Sequence, residues 1–226
     1  MKKTLLIAAA ALAAGVISTQ AQPVYSQNVV GYVNQKFVGG QYTQVSVPLS
    51  VSSTNSAEEV FPVLQAGDAI LIWTGVSYDT YTYFAQGSWL YPDGVTLGAA
   101  PQLKVGQGLF FQASATETNT YVGSVVLSNT NAPITFKGGV YNLVGSVPPI
   151  GVSSLEDTNL NLPLQAGDAV LLWDGAQYQT YTYFSKGSWL YPDGATIGVS
   201  PALSVGQGFF YQATADEQWT QNMTLQ

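Results

Sequence analysis

The sequence predicts an all-β protein made of two copies of one module, and three observations carry that reading. The first is a repeat: Leu64-Gln65-Ala66-Gly67-Asp68-Ala69 returns 100 residues later as Leu164-Gln165-Ala166-Gly167-Asp168-Ala169. Thr80 to Phe84 and Gly87 to Gly94 return at the same spacing. The second is punctuation, since 23 Gly and 11 Pro in 226 residues leave room for many turns and few long helices. The third is periodicity: the runs between those turns are short, and either continuously apolar or alternating. The expected architecture is two tandem β-sandwich or barrel-like modules, with edge strands open to sharing or exchange between them.

The elements follow in chain order. Met1-Lys2-Lys3, an apolar stretch from Leu5 to Ile17 and the small residues before Ala21 have the three parts of an export signal, which places cleavage after Ala21. The apolar run falls short of the roughly 20 residues that span a bilayer, and no second one follows, so no membrane span is expected after cleavage. The expected location is secreted, periplasmic or extracellular. The first β module is assigned to 22–128 and the second to 129–226, divided at the polar, proline-containing stretch Ser128 to Pro133.

Val30-Gly31-Tyr32-Val33 is echoed by Val122-Gly123-Ser124-Val125, and Thr220 to Leu225 lies where that strand would recur. Three similar strands thus bracket two units, which is what suggests exchanged edges. Phe37-Val38-Gly39-Gly40 is echoed by Phe136-Lys137-Gly138-Gly139 with the spacing shortened by one, implying a one-residue insertion in the strand or turn that follows. Asn55 to Phe61 predicts one or two helical turns, capped by Asn55 or Ser56 with Glu58 and Glu59 at the positive end, and Ser154 to Leu160 predicts the same in the second copy.

Ala69 to Trp73 reads as a strand buried on both faces. In the next strand Tyr78, Thr80, Thr82 and Phe84 fall on one side, and Asp79, Tyr81 and Tyr83 on the other. Tyr91-Pro92-Asp93-Gly94 and Tyr191-Pro192-Asp193-Gly194 read as type I turns. Gly106-Gln107-Gly108 and Gly206-Gln207-Gly208 lack the third glycine and the helix of a nucleotide loop, and mark close backbone packing before a strand.

Gln27-Asn28-Val29-Val30-Gly31-Tyr32-Val33-Asn34 and the block Val205 to Phe210 resemble a family of uncharacterised secreted bacterial proteins that pair a signal peptide with two copies of an all-β module. The likeness covers essentially the whole mature chain. It implies export and a duplicated β fold, and no activity. One departure stands out: after the Gly-Gly turn such proteins read like Asn142-Leu143-Val144, whereas the first copy has Thr43-Gln44-Val45.

Composition narrows the chemistry. There is no Cys and no His, which removes disulfides, thiolates, imidazole bases and most transition-metal sites. Without Lys2 and Lys3 the chain keeps four scattered Lys against 13 acids, a formal charge of about −9, which disfavours nucleic acid and anionic membranes as partners. The repeated acids Asp68, Asp168, Asp93 and Asp193 adjoin glycines in turns, which accounts for them without a hydrolase, and no stretch has the dense alternating acids of a calcium loop. No enzyme activity and no cofactor is therefore expected.

The aromatics remain. Tyr81, Tyr83, Trp89 and Tyr91, with Tyr181, Tyr183, Trp189 and Tyr191, fall at alternate positions of neighbouring strands. Either they fill a β core through cross-strand pairs or they form a flat platform on which a polysaccharide stacks. The sequence thus favours a secreted, non-catalytic structural or interaction protein of the cell surface or matrix, with itself or other surface proteins as partners. A carbohydrate-binding module using the Tyr/Trp rows is the alternative.

Overall fold

The computed structural model describes residues 29–224, and the export signal with its cleavage point lies outside them. The described chain is nearly all β, as two similar modules. Each has a six-stranded antiparallel sheet and a separate two-stranded ribbon.

In the first module the ribbon pairs β1 (Val30–Phe37) with β8 (Glu117–Ser124) over eight residues, from Val30 opposite Ser124 to Phe37 opposite Glu117. The sheet runs in the order β2 (Tyr42–Ser46), β7 (Gly108–Gln112), β3 (Ala69–Trp73), β4 (Tyr78–Ala85), β5 (Ser88–Leu90) and β6 (Leu97–Gly98). In the second module β9 (Ile134–Phe136) pairs with β16 (Glu217–Trp219). Its sheet runs β10 (Tyr141–Val144), β15 (Phe209–Gln212), β11 (Ala169–Trp173), β12 (Tyr178–Ser185), β13 (Ser188–Leu190) and β14 (Ile197–Gly198).

Each module closes its own ribbon, so the three similar strands are not exchanged. The backbone changes partner between Val125, which donates to Val29 O at 2.8 Å, and Leu127, whose carbonyl accepts from Met223 N at 2.8 Å. The second ribbon is the shorter because a turn at Asn129 to Ala132 and then Pro133, which has no N–H, interrupt it.

The alternation read from β3 and β4 decides what covers each sheet. Ile70 and Phe111 point into a core closed by Val33 and Phe37 of the ribbon and by Val60 and Phe61. Leu71, Trp73, Tyr78 and Phe110 point to the opposite face and meet Leu171, Trp173, Tyr178 and Phe210 from the other module. The two sheets therefore pack face to face, which covers β3, β7, β11 and β15 on both sides and leaves the outer face of β4 and β12 open beyond Tyr78 and Tyr178.

The contacts across this interface are reciprocal. Trp73 Nε1 donates to Tyr141 O at 2.8 Å, and Trp173 Nε1 donates to Tyr42 O at 2.9 Å. The Tyr78 and Tyr178 hydroxyls meet at 3.1 Å. Ser46 N donates to Gly206 O at 2.8 Å and Gly145 N to Gly106 O at 2.9 Å. This is the pattern of a twofold-symmetric dimer interface, written into one chain.

The Gly-Gln-Gly segments make the joint. Val45 bridges Gln207 and Val144 bridges Gln107, so each module's edge strand is continued by the other module's glycine segment. A Cβ on Gly208 would lie 2.4 Å from Val45 O, and one on Gly108 2.6 Å from Val144 N. Close backbone packing was the expectation; the backbone approached belongs to the other copy.

Only the first copy forms the expected helix, α1 (Ala57–Val60), with Ser56 as N-cap and Glu59 accepting from Ser56 N at 2.8 Å. Ser154 to Leu160 forms turns instead. Glu58 and Glu156 hold equivalent tryptophans yet lie 98 residues apart, whereas Leu64 and Leu164 lie 100 apart. The single insertion read from the sequence is thus a one-residue shortening before the glutamate and a two-residue lengthening after it, and the longer return replaces the helix. Among the described residues no helix is long and apolar enough to cross a membrane.

Candidate functional site

The eight aromatics singled out by the repeat do share one sheet face, in tight pairs. Tyr81 meets Tyr91 edge-on at 5.3 Å and Tyr83 meets Trp89 at 5.2 Å; Tyr181 with Tyr191 and Tyr183 with Trp189 repeat both at 5.3 and 5.1 Å. That face is the core side of each sheet. Trp89 and Trp189 are 0% exposed, and the tyrosines are half-buried against the same cores. The solvent-facing platform does not form; the cross-strand core arrangement does.

Each indole is fixed by a carboxylate from the segment between β2 and β3 or its counterpart. Glu58 Oε1 accepts from Trp89 Nε1 at 2.9 Å and Gly87 N at 2.6 Å; Glu156 Oε1 accepts from Trp189 Nε1 at 2.7 Å and Gly187 N at 2.9 Å. Tyr91 and Tyr191 donate their hydroxyls to Ala99 O and Val199 O, both at 3.0 Å. Burial raises the Tyr81 and Tyr181 phenols above their ordinary range.

Asp93 and Asp193 have the local turn role expected of them, whereas Asp68 and Asp168 also tie their turn to a segment 46 residues away. Asp68 and Asp168, both fully buried, accept from the backbone N–H of Gln65 and Gln165 at 2.6 Å, and from Ser114 N and Thr214 N at 2.7 Å. Asp93 and Asp193 accept from the backbone two and three residues ahead, and the Thr96 and Thr196 hydroxyls hold their carboxyls below the usual carboxylate range. No group of three or more potential metal-ligating side chains occurs among the described residues.

The open aromatic surface lies between the modules instead. Tyr42, Leu71, Tyr78, Phe110, Trp173 and Tyr178 line a cavity of about 230 Å³. Its twofold counterpart, of about 330 Å³, is lined by Tyr141, Leu171, Tyr178, Phe210, Trp73 and Tyr78. The two clefts flank the Tyr78–Tyr178 contact, and burial raises both phenols above their ordinary range.

Sequence reasoning placed Tyr78 correctly on the face opposite Tyr81 but gave that face no site. The available signal was the second repeated aromatic pair, Trp73/Tyr78 and Trp173/Tyr178, at the same 100-residue spacing. Comparison with family models, with curated proteins and with solved structures gives no match to this chain.

Proposed function

We propose that this chain is a secreted, non-catalytic structural or interaction protein of the cell surface or extracellular matrix, of the duplicated-module kind that its opening strand and Val205–Phe210 block resemble. The observation that carries the reading is the outer face of the first ribbon. Tyr32, 66% exposed, stands directly opposite Val122, 50% exposed, with Val30 beside them. A paired row of apolar side chains held out from a two-stranded ribbon is a surface suited to self-association in a chain with only 8% charged residues.

Two further features support the reading. The repeated acids are engaged in turns and tethers rather than gathered in a cleft, and the duplicated modules form one body through reciprocal contacts.

Sedimentation velocity on the mature protein tests it. Concentration-dependent assembly is expected, weakened by the joint change Tyr32→Ser and Val122→Ser, whose side chains face water and contribute little to the core. A single monomeric species across the whole range counts against the proposal.

A further inference from the structure

The two clefts between the modules obey the pseudo-twofold, but their surroundings do not. Beside the cleft that holds Trp173 lies a second cavity of about 300 Å³, which shares Tyr42 and Trp173 with it. Gln35, Gln44, Asp174 and Gln207 line that cavity. The corresponding cavity on the other side, about 430 Å³, has Ile134 and Leu143 where Gln35 and Gln44 stand, and shares no residue with the neighbouring aromatic cleft. Only one side therefore joins an aromatic wall to a polar one.

The polar wall is incomplete by itself. Gln44 is 4% exposed; its Oε1 accepts from Trp173 N at 3.0 Å, which fixes the amide's orientation, and its Nε2 has no partner. The Oε1 of Gln35 is likewise buried and without a partner. Leaving a buried donor and a buried acceptor unpaired is unfavourable, so a group that supplies both is favoured there.

The lining residues then specify that group. No Lys or Arg lines the cavity, and the Asp174 carboxyl is held below its ordinary range by the backbone N–H groups of Gln177 and Ala176, so an anion is repelled. Asp174 has both oxygens engaged, by Ala176 N and Gln177 N on one and Gln179 Nε2 on the other, and with a single carboxylate the cavity is poorly suited to a divalent cation.

The geometry points to a binding site for a neutral saccharide, one ring lying against Trp173 and Tyr42 and its hydroxyls pairing with the Gln35 and Gln44 amides as these side chains turn toward the cavity. A sugar ring combines an apolar C–H face with adjacent hydroxyls that donate and accept, and the cavity sits at the lower end of the ~300–1,000 Å³ usual for small-ligand sites. This goes beyond the assembly reading and does not depend on it.

The test titrates the mature protein with cellohexaose, laminarihexaose and chitohexaose, following tryptophan fluorescence and calorimetric heat, with oligogalacturonate and a glutamine-rich peptide as contrasting probes. Sedimentation of the same samples keeps assembly separate from binding. At least one neutral oligosaccharide is expected to bind, and the acidic one is not. Gln44→Leu installs the residue that the second module carries at this place, and Gln35→Met keeps the side-chain length; each is expected to weaken binding about tenfold with the thermal transition retained.

Wild-type affinity in both variants would overturn the assignment, as would binding of the peptide in preference to every sugar. Failure of all three neutral sugars to bind leaves the two orphaned amides to water alone, and equally ends the proposal.

Discussion

The two modules have the same sheet and different margins. Around the buried tryptophans they agree down to the hydrogen-bond partners of the indole, and at the buried aspartates down to the backbone N–H groups that hold them. At the ribbon, the β2–β3 connection and the edge strand they diverge: eight paired residues against three, a helix against turns, and Gln44 against Leu143. The difference teaches where the duplicated backbone is over-determined. The contacts that hold Trp89 and Trp189, and the backbone contacts of Asp68 and Asp168, are kept in both copies, whereas the ribbon, the β2–β3 connection and the edge strand have drifted apart.

Changes that strike both modules at a shared contact should have the largest effect. Trp89→Ala and Trp189→Ala each remove a fully buried indole and leave Glu58 or Glu156 with one partner fewer. Each should cost roughly 3–5 kcal/mol in chemical denaturation, and the two losses should agree closely. A loss in one module alone would mean that the cores are not equivalent after all.

Next in size are the joints between the modules. Gly208→Ala drives a methyl group to 2.4 Å from Val45 O and Gly108→Ala to 2.6 Å from Val144 N, both against backbone that cannot step aside. Overpacking of this kind costs about 1–3 kcal/mol. Amide exchange should quicken across the interface, at Ser46 and Gly145, while the amides of β4 and β12 stay protected. Unchanged exchange at Ser46 and Gly145 would show that the glycines do not hold the modules together.

Much of this organisation is legible in the sequence, and the part that is not has one cause. The repeat, the alternation of β4 and the turn roles of Asp93 and Asp193 are local, and the sequence shows them directly. Whether Trp89 faces water or a core is not local. It depends on a ribbon that returns from Glu117 and on Glu58, 31 residues away. Which aromatic face stays open depends on the other copy, about 100 residues along the chain. The departure at Gln44 is, with Gln35, what makes the two sides unlike, yet its meaning appears only when Trp173 is placed beside it.

A smaller asymmetry separates the two cores. The Tyr211 hydroxyl donates to Asp168 Oδ2 at 2.5 Å, with Pro163 O 3.2 Å away, where the first module has Phe111. Tyr211→Phe makes the second core like the first. It should cost about 1.5–3 kcal/mol, the worth of a hydrogen bond to a charged group, because Asp168 keeps its backbone donors and loses one. If urea denaturation finds the variant as stable as the parent, the extra hydroxyl is redundant and the phenylalanine of the first module is the sufficient solution.

The smallest effect concerns the helix that only the first module has. Four donors meet one exposed carboxylate: the Ser52 and Thr54 hydroxyls, and the backbone and hydroxyl of Ser56, all hydrogen-bond to Glu59, and together they lower its pKa to about 2. A carboxyl whose folded value lies below its unfolded one stabilises the fold above the unfolded value, about 4.3, and loses that contribution as pH falls toward the folded value. Burial raises Glu117 and Glu217, which act in the opposite sense over neighbouring pH, so the wild-type profile alone does not isolate Glu59. The difference between wild type and Glu59→Gln does. That difference should be steady at neutral pH, shrink between about pH 4 and pH 2, and be absent below it, with solvent screening keeping it small throughout. A gap that persists unchanged at pH 2 would assign the effect to the shape of the side chain rather than its charge.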